Sequence, residues 1–447
     1  MGGFKTVIIL LDFGFLGGSM GIIVGEKISR AFLYARKNSL PVISIISSGG
    51  KRVQEGAFSL LQMIKTINST RKLNEKNLPH IALFTNPSGG QVYSSFATTA
   101  DIKFAEPGAL MGMFTLNELQ KKSKNLKIDK TSENFFQKGL IDQILSRNLV
   151  KKEISNILEL LISKNKIPKK TDLELPNISF ETSSKKTKID KSRPSGDEYV
   201  KNVFEDFFYL GKKDEENLSY LGLGKIGSQT IVSIVQNYQR LNKSINGKLN
   251  NYDFKIIFKA IELSKKYELP IIFLVDNKGI NNTFENEMSG IANNLSKSID
   301  ILSNHEQTIL SIITGETTTE GSLPYFIADK VLMLENSFFN TSSDNESLKN
   351  KQMNAIDCLE TGLVDRIIPE PPLGASKGPE DMARIIKINI INELSILNYV
   401  SKRKLTRNRV KKFQEIDLGN NQLIETVAGE IKIWRNVLKA SYKALRN

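Results

Sequence analysis

The chain is poor in the residues that most often carry metal, redox or imidazole chemistry. Among its 447 residues are one cysteine, Cys358, and two histidines, His80 and His305. A lone cysteine excludes an internal disulfide and suits a reducing compartment, so a cytoplasmic protein is expected. Two histidines so far apart, with one thiol, exclude an ordinary Cys/His zinc site. No P-loop and no nucleophile elbow is present. Only Thr6 to Val24 is apolar enough to suggest a leader or a membrane span. Asp12 interrupts that run, Gly14, Gly17, Gly18 and Gly21 weaken it as a helix, and no small-residue cleavage site follows. It reads as a buried strand and a glycine-rich turn, with no membrane contact.

Positive charge is abundant. The net charge of +14 points to a polyanionic partner or to a lysine-rich surface. No nucleic-acid-binding motif accompanies it, so nucleic acid is not expected, and the basic segment Lys402 to Lys412 reads as a solvated helix face. The length calls for two or three domains.

An internal repeat gives the organisation. LPVISIISSGG (Leu40 to Gly50) is echoed by LPIIFLVDNKG (Leu269 to Gly279), each a short apolar strand running into a glycine turn. Helical patterns precede both, at Ile28 to Lys37 and Phe254 to Lys266. Leu78 to Gly90 then parallels Thr308 to Gly321, Ala100-Asp101 parallels Ala328-Asp329, and Lys138 to Ile144 parallels Thr361 to Ile367. The offsets all fall at about 223–231 residues, so order and spacing are kept together. Two homologous α/β domains are expected, at 1–163 and 193–400. An exposed linker is placed at 164–192, where Lys, Ser, Thr and Pro replace periodicity, and a basic helical tail at 401–447, with an amphipathic helix near Trp434.

In α/β domains the loops beyond strand ends carry function. SSGGKRVQEG (Ser47 to Gly56) opens a helix, and Gly49 and Gly50 let the backbone approach a ligand with N–H groups suited to an oxyanion. Gly89 and Gly90 repeat the pattern on the next strand end. Lys51 and Arg52 could add phosphate contacts. With no histidine placed as a base, any chemistry must rest on main-chain donors and on the substrate's own reactivity, which suits an enolate.

FGFLGGSMG, ISIISSGGKRVQEGAFSLLQMIKT, NPSGGQVYSSFATTADIKFAEPGALMG and KGLIDQI resemble the β subunit of bacterial acetyl-CoA carboxylase carboxyltransferase. RPSGDEYVKNVFEDF, LPIIFLVDNKG, ADKVLMLENSFFN, GLVDRIIPEPPLGASKGPEDMARIIK and LTRNRVKKF resemble its α subunit. The resemblance implies an α/β fold of two crotonase-like (ClpP/crotonase) domains built from repeated ββα units, working as a homodimer with each site at the junction of the partners' domains. It implies an acyl-CoA or acyl-carrier thioester substrate and no permanently bound cofactor, biotin being borne by a separate carrier protein. Enolates of biotin and of the acyl group would each be held by an oxyanion hole. Gly49, Gly50, Gly89 and Gly90 then fall at the acyl-CoA hole, Gly17, Gly18, Ser48, Lys51 and Arg52 along coenzyme A, and Gly279, Gly321 and Ser322 on the biotin side.

The chain departs from that pattern in places. The family's zinc ribbon and the helix after it are missing. The glycine run after Gly-Glu is here Gly315-Glu316-Thr317-Thr318-Thr319-Glu320-Gly321-Ser322, and Asp276-Asn277-Lys278-Gly279 replaces Asp-Thr-Pro-Gly. The Gln-Lys-Gly and Pro-Glu-Gly-Tyr signatures are not found around Gln236 to Asp253. Side chains at Thr317, Thr318 and Glu320 are expected to crowd the donors, and Glu320 to repel an oxyanion. Three readings stay open: a biotin-dependent carboxyltransferase making malonyl-CoA, a biotin-independent decarboxylase of a malonyl thioester, and a non-catalytic acyl-CoA-binding paralogue.

Overall fold

The computed structural model describes residues 2–114, 130–174, 190–212, 217–238, 247–341 and 352–415. The first sheet contains β1 (Val7–Leu11), β2 (Val42–Ser48), β3 (His80–Gly89), β4 (Ile102–Ala105), β5 (Met111–Gly112) and β6 (Gln143–Ile144). Its order is β1-β2-β3-β4-β6, with β5 beside β3. Neighbours run parallel, Val7 opposite Val42 and Val42 opposite His80. β2 has no exposed residue, its serines included, because both its faces are covered. β1 is an edge strand and leaves Ile8 and Leu10 exposed, so the buried strand expected there is buried on one face only.

The second sheet adds β7 (Asp206–Leu210), β8 (Ser219–Ile226), β9 (Gln229–Gln236), β10 (Ile271–Val275), β11 (Ile309–Ile313), β13 (Lys330–Leu334) and β16 (Arg366–Ile368). A three-stranded sheet of β12 (Glu316–Thr318), β14 (Phe338–Asn340) and β15 (Gln352–Asn354) stands beside it. From β9 to β16 the pairings are parallel, in the order β9-β10-β11-β13-β16. That order repeats β1-β2-β3-β4-β6, and the registers repeat too: Val232 opposes Ile271, and Ile271 opposes Ile309. β7 and β8 extend the second sheet as antiparallel strands.

The repeated Leu-Pro has a local cause. The helix Ile22–Asn38 ends at Ser39 with φ 54°, and the Leu40 N–H turns back to the Ala35 carbonyl at 2.9 Å. The helix Asn251–Tyr267 ends at Glu268 with φ 57°, and the Leu269 N–H reaches the Ser264 carbonyl at 3.1 Å. A left-handed residue, then an apolar residue closing the last turn, then proline stops each helix and starts the next strand.

Four aspartates complete the correspondence. Asp101 exchanges main-chain and side-chain bonds with His80 (2.9 and 2.8 Å), as Asp329 does with Ile309 (2.9 and 2.8 Å). Asp142 does the same with Lys103, and Asp365 with Val331. Each carboxylate also takes a cation from a helix laid across the strand ends. Lys266 and Lys259 of the helix Asn251–Tyr267, a second-domain element, serve Asp101 and Asp142 of the first sheet. Arg409 and Lys412 of the helix Lys402–Glu415 serve Asp329 and Asp365. Arg409, only 1% exposed, and Lys412 dock one edge of this helix, while Lys402, Arg403, Lys404, Arg407 and Lys411 stay exposed, so the solvated face expected of the basic segment is kept on its other side. The carboxylates that hold the docked edge lie some 80 and 47 residues away in sequence.

The start of the proposed linker is bound as well. Ile167 is buried and its N–H donates to Gln229 Oε1 at 3.0 Å, while Leu173 exchanges two bonds with the Asn392 side chain. Those partners lie in β9 and the helix Pro379–Leu397, so main-chain groups of the segment meet side-chain amides rather than solvent alone. The remainder of the linker, 175–189, and the helix foreseen near Trp434 lie outside the described residues.

A candidate oxyanion site at two glycine turns

The end of β2 meets the end of β3 through bare backbone. A Cβ on Gly50 would sit 3.2 Å from Gly90 Cα, and one on Gly90 would sit 3.1 Å from Gly50 Cα. Gly50 has φ 109° and Gly90 φ 58°, so both positions combine close approach with a conformation L residues rarely adopt. A Cβ on Gly89 would lie 2.2 Å from the Phe114 ring, which closes the turn from one side.

Not every amide of this turn is free. Gly49 N–H donates to the Gly17 carbonyl at 2.8 Å, so Gly49 supplies no open donor, contrary to expectation. Gly50 N–H meets Ser48 Oγ at 3.0 Å. Ser48 is fully buried, and its hydroxyl donates to the Gly18 carbonyl at 2.7 Å. Gly18 itself lies under the Ser47 carbonyl, 2.0 Å from where its Cβ would be. Gly17, Gly18 and Ser48 thus brace the turn from beneath rather than face a ligand. Arg52 is held by Glu55 at 3.2 Å, and Glu55 also accepts the Ile22 N–H at the start of the first helix. Lys51 projects an exposed side chain.

The open donor is one that residue types did not single out. Met20 and Lys51 form an isolated parallel bridge in which Met20 N–H donates to Gly50 O (2.8 Å) and Arg52 N–H donates to Met20 O (3.0 Å). Successive peptide groups of an extended chain point to opposite sides. The Lys51 N–H therefore points away from Met20, and it meets no acceptor among the described residues. Gln91 N, in the first turn of the following helical segment, stands 3.4 Å from the Cβ position of Gly50.

The second domain repeats this arrangement. Leu249 and Ile280 form the corresponding bridge, Leu249 N–H donating to Gly279 O (2.7 Å) and Asn281 N–H to Leu249 O (2.8 Å). Ile280 N–H is left pointing away, again with no acceptor among the described residues. Gly321 approaches it, its Cβ position 3.0 Å from Ile280 N. Gly279 N–H is braced by Asn277 Oδ1 at 3.0 Å, as Gly50 N–H is by Ser48. Ser322 is fully buried, its hydroxyl bonded to Asn277 Oδ1 (2.7 Å) and taking the Thr318 N–H (2.8 Å), so it braces rather than binds.

Thr317 and Thr318 do not crowd these donors. They form β12, are buried against β14, and Thr317 Oγ1 donates to the Phe338 carbonyl at 3.2 Å. β-branched residues suit a strand, and this strand takes the place foreseen as a crowded loop. Glu320 is exposed. Behind the turn, Asp276 holds Arg193 through two bonds of 2.7 and 2.8 Å, both side chains buried. The Arg193 guanidinium stands 4.6 Å from the centre of the Tyr238 ring, and the Lys278 ammonium donates to the Tyr238 hydroxyl at 2.7 Å. Burial pushes the Glu316 carboxyl above its ordinary value, against the pull of Lys278.

Neither histidine reaches the turns. His80 Nε2 pairs with Ser44 Oγ (2.9 Å) and His305 Nε2 with Ser264 Oγ (2.8 Å). Burial depresses both rings to about 3, so they are neutral structural groups. Among the described residues no cluster of His, Cys, Asp and Glu could hold a metal ion, and no helix is long and apolar enough to cross a membrane.

Fold and turns together define a duplicated crotonase-type α/β protein with one uncommitted main-chain amide at the equivalent glycine turn of each domain. Residues 181–417 match the acetyl co-enzyme A carboxylase carboxyltransferase-like family and residues 1–123 the carboxyl transferase domain. The chain is 32% identical to acetyl-coenzyme A carboxylase carboxyl transferase subunits beta/alpha of Clostridium tetani, covering 93% of this chain and 77% of that one. It is 30% identical to the same protein of Natranaerobius thermophilus, over 93% and 76%. Among solved structures, the transcarboxylase 12S hexamer with hydrolysed methylmalonyl-coenzyme A bound superposes with a TM-score of 0.66 at 18% identity, covering 84% of this chain and 76% of that one. The chain belongs to the acetyl-CoA carboxylase carboxyltransferase family, in its fused beta/alpha form.

Proposed function

We propose that this protein transfers a carboxyl group from carboxybiotin to acetyl-CoA, giving malonyl-CoA. The observation that supports this best is the pair of equivalent bridges, Met20 with Lys51 and Leu249 with Ile280, each leaving one amide uncommitted beside a glycine turn. In the first domain, Lys51 N–H and the Gly90–Gln91 turn would receive the thioester oxygen as the acyl α-carbon loses its proton. Preorganised donors of this kind stabilise such charge by several kcal/mol, about 3–4 for one donor. The exposed Lys51 ammonium lies close enough in sequence to meet a phosphate of coenzyme A.

The residues of the second domain fit biotin. Ile280 N–H and the Gly321 turn would hold its ureido oxygen, with Arg193, Asp276 and Asn277 fixing the loop from behind. Biotin, borne by a separate carrier protein, would supply the carboxyl group. Both histidines being neutral and buried, the chain would contribute charge stabilisation and positioning without an imidazole base.

We place the domain limits at 1–163 and 193–400, and the protein in the cytoplasm as a homodimer. The helix Gly56–Asn74, which follows the glycine turn, exposes Phe58 (64%), Leu61 (52%) and Ile64 (60%), and a run of that kind suits a partner subunit. The test is purified chain with malonyl-CoA and free biotin, followed by loss of malonyl-CoA with and without biotin. Turnover that requires biotin supports the proposal. Turnover that ignores biotin would replace it with the decarboxylase reading, and thioester binding without turnover with the non-catalytic one.

A further inference from the structure

The two turns differ at one point, and the difference involves a strained residue. In the first domain the Cβ position of Gly50 faces main chain only: Gly90 Cα, Gln91 N and Gly89 O. In the second, the Cβ position of Gly279 faces a side-chain hydroxyl, Thr319 Oγ1, at 2.6 Å. Thr319 has φ 51° and ψ −162°. That region is essentially reserved for glycine, and a β-branched residue there is strained. Main-chain bonds hold it in place: Thr319 N–H donates to the Asn340 carbonyl (2.8 Å), and Ser322 N–H donates to the Thr319 carbonyl (3.2 Å).

The side chain gains nothing visible in return. Thr319 is half-buried, and its hydroxyl has no hydrogen-bond partner among the described residues. Thr317 and Thr318, its neighbours, are both buried and bonded within the small sheet. Strain retained at one residue whose polar atom is unpaired and aimed over a glycine turn is the pattern expected of a functional group.

We propose that the Thr319 hydroxyl is a second donor of the second-domain hole, acting beside Ile280 N–H on the ureido oxygen of biotin. This rests on the carboxyltransferase reading. A hydroxyl turns to meet its acceptor, and a ureido oxygen carries two lone pairs, so it accepts the hydroxyl together with an amide. The first-domain turn has no such group. A thioester oxygen there receives amides alone, which makes Thr319 a device that distinguishes the two acceptors.

The experiment uses the full chain with Thr319→Val, Thr319→Ser and Thr319→Gly. Two quantities are read on each: biotin-dependent loss of malonyl-CoA, and binding of free biotin by saturation-transfer NMR. Valine keeps the shape and removes the hydroxyl, and it should lower kcat for the biotin-dependent reaction about 10–100-fold and weaken biotin binding. Serine should restore both to within about threefold, since it keeps the donor. Malonyl-CoA binding should be the same in all four proteins. Glycine should lower transfer as valine does while raising the melting temperature by about 1–2 °C as the strain is relieved.

Valine matching the wild type in transfer and in biotin binding would overturn the proposal. So would serine and valine being equally impaired with lowered melting temperatures, which is the mark of packing alone. A fall in melting temperature for glycine would remove the strain argument. If the wild-type chain itself neither binds biotin nor depends on it, the carboxyltransferase reading fails first, and the wild-type result alone identifies that case.

Discussion

Arg409 is clasped to Asp329, its Nη2 2.9 Å from Oδ2, and neither side chain reaches solvent. The guanidinium also donates to the carbonyls of Leu302, His305 and Gln307. Burial outweighs this cation and leaves the Asp329 carboxyl above its ordinary value. Removing one partner of a buried pair leaves the other without compensation. Arg409→Ala is therefore expected to cost about 3–5 kcal/mol, read by urea denaturation. A loss below about 1 kcal/mol would show that the pair behaves like a surface one.

The glycine turn of the first domain gives a second prediction. Gly50→Ala must place a methyl 3.2 Å from Gly90 Cα at φ 109°. Opening the turn displaces the Lys51 amide, and kcat should fall about 100-fold with the fold intact by circular dichroism, since one misplaced donor costs that much. Unchanged kcat would remove Gly50 from the site.

Gly89→Ala tests the other wall. Its methyl would lie 2.2 Å from the Phe114 ring, which is buried. Overpacking of this kind costs about 1–3 kcal/mol. Pairing it with Phe114→Leu should recover at least half of the loss in thermal stability. No recovery would mean that backbone, rather than the ring, sets the limit.

The histidines fix a pH dependence. Burial first, and then Lys266 beside His80 or Arg409 beside His305, holds each imidazole near 3 against an ordinary value of 6.5. Once unfolded, each binds a proton below about 6.5, so stability is complete above that pH and falls as pH drops towards 3. At pH 5 the loss is about 2 kcal/mol per histidine. Asp253, raised by burial to about 6, acts in the opposite sense, because the folded protein holds its proton longer between its ordinary 3.8 and 6. His80→Gln should flatten the stability profile between pH 4 and 6.5 by about 1.4 kcal/mol per pH unit, and an unaltered slope would contradict a neutral buried ring.

Much of the architecture could be read from residue order alone. Leu40-Pro41 and Leu269-Pro270 announced the duplication because helix termination and strand entry both leave local marks. The glycine pairs were equally visible, since close backbone approach at Gly50 and Gly90 demands that residue type. What stayed hidden depends on direction or on distant partners. The free amides of Lys51 and Ile280 follow from bridges to Met20 and Leu249, and any side chain could occupy those positions. Arg409 looked like solvent-facing charge because Asp329 lies 80 residues earlier in the chain. Thr317 and Thr318 looked like intrusions because β14, which receives them, gives no sign in the loop itself.

Lys259 and Lys266 grow from the second domain yet neutralise Asp142 and Asp101 of the first. A version of this protein made as two separate polypeptides would thus find its halves already matched, each lysine a plug for a waiting socket. Fusion adds no new adhesive between them. It fixes their stoichiometry at one to one and brings both halves off the ribosome in sequence.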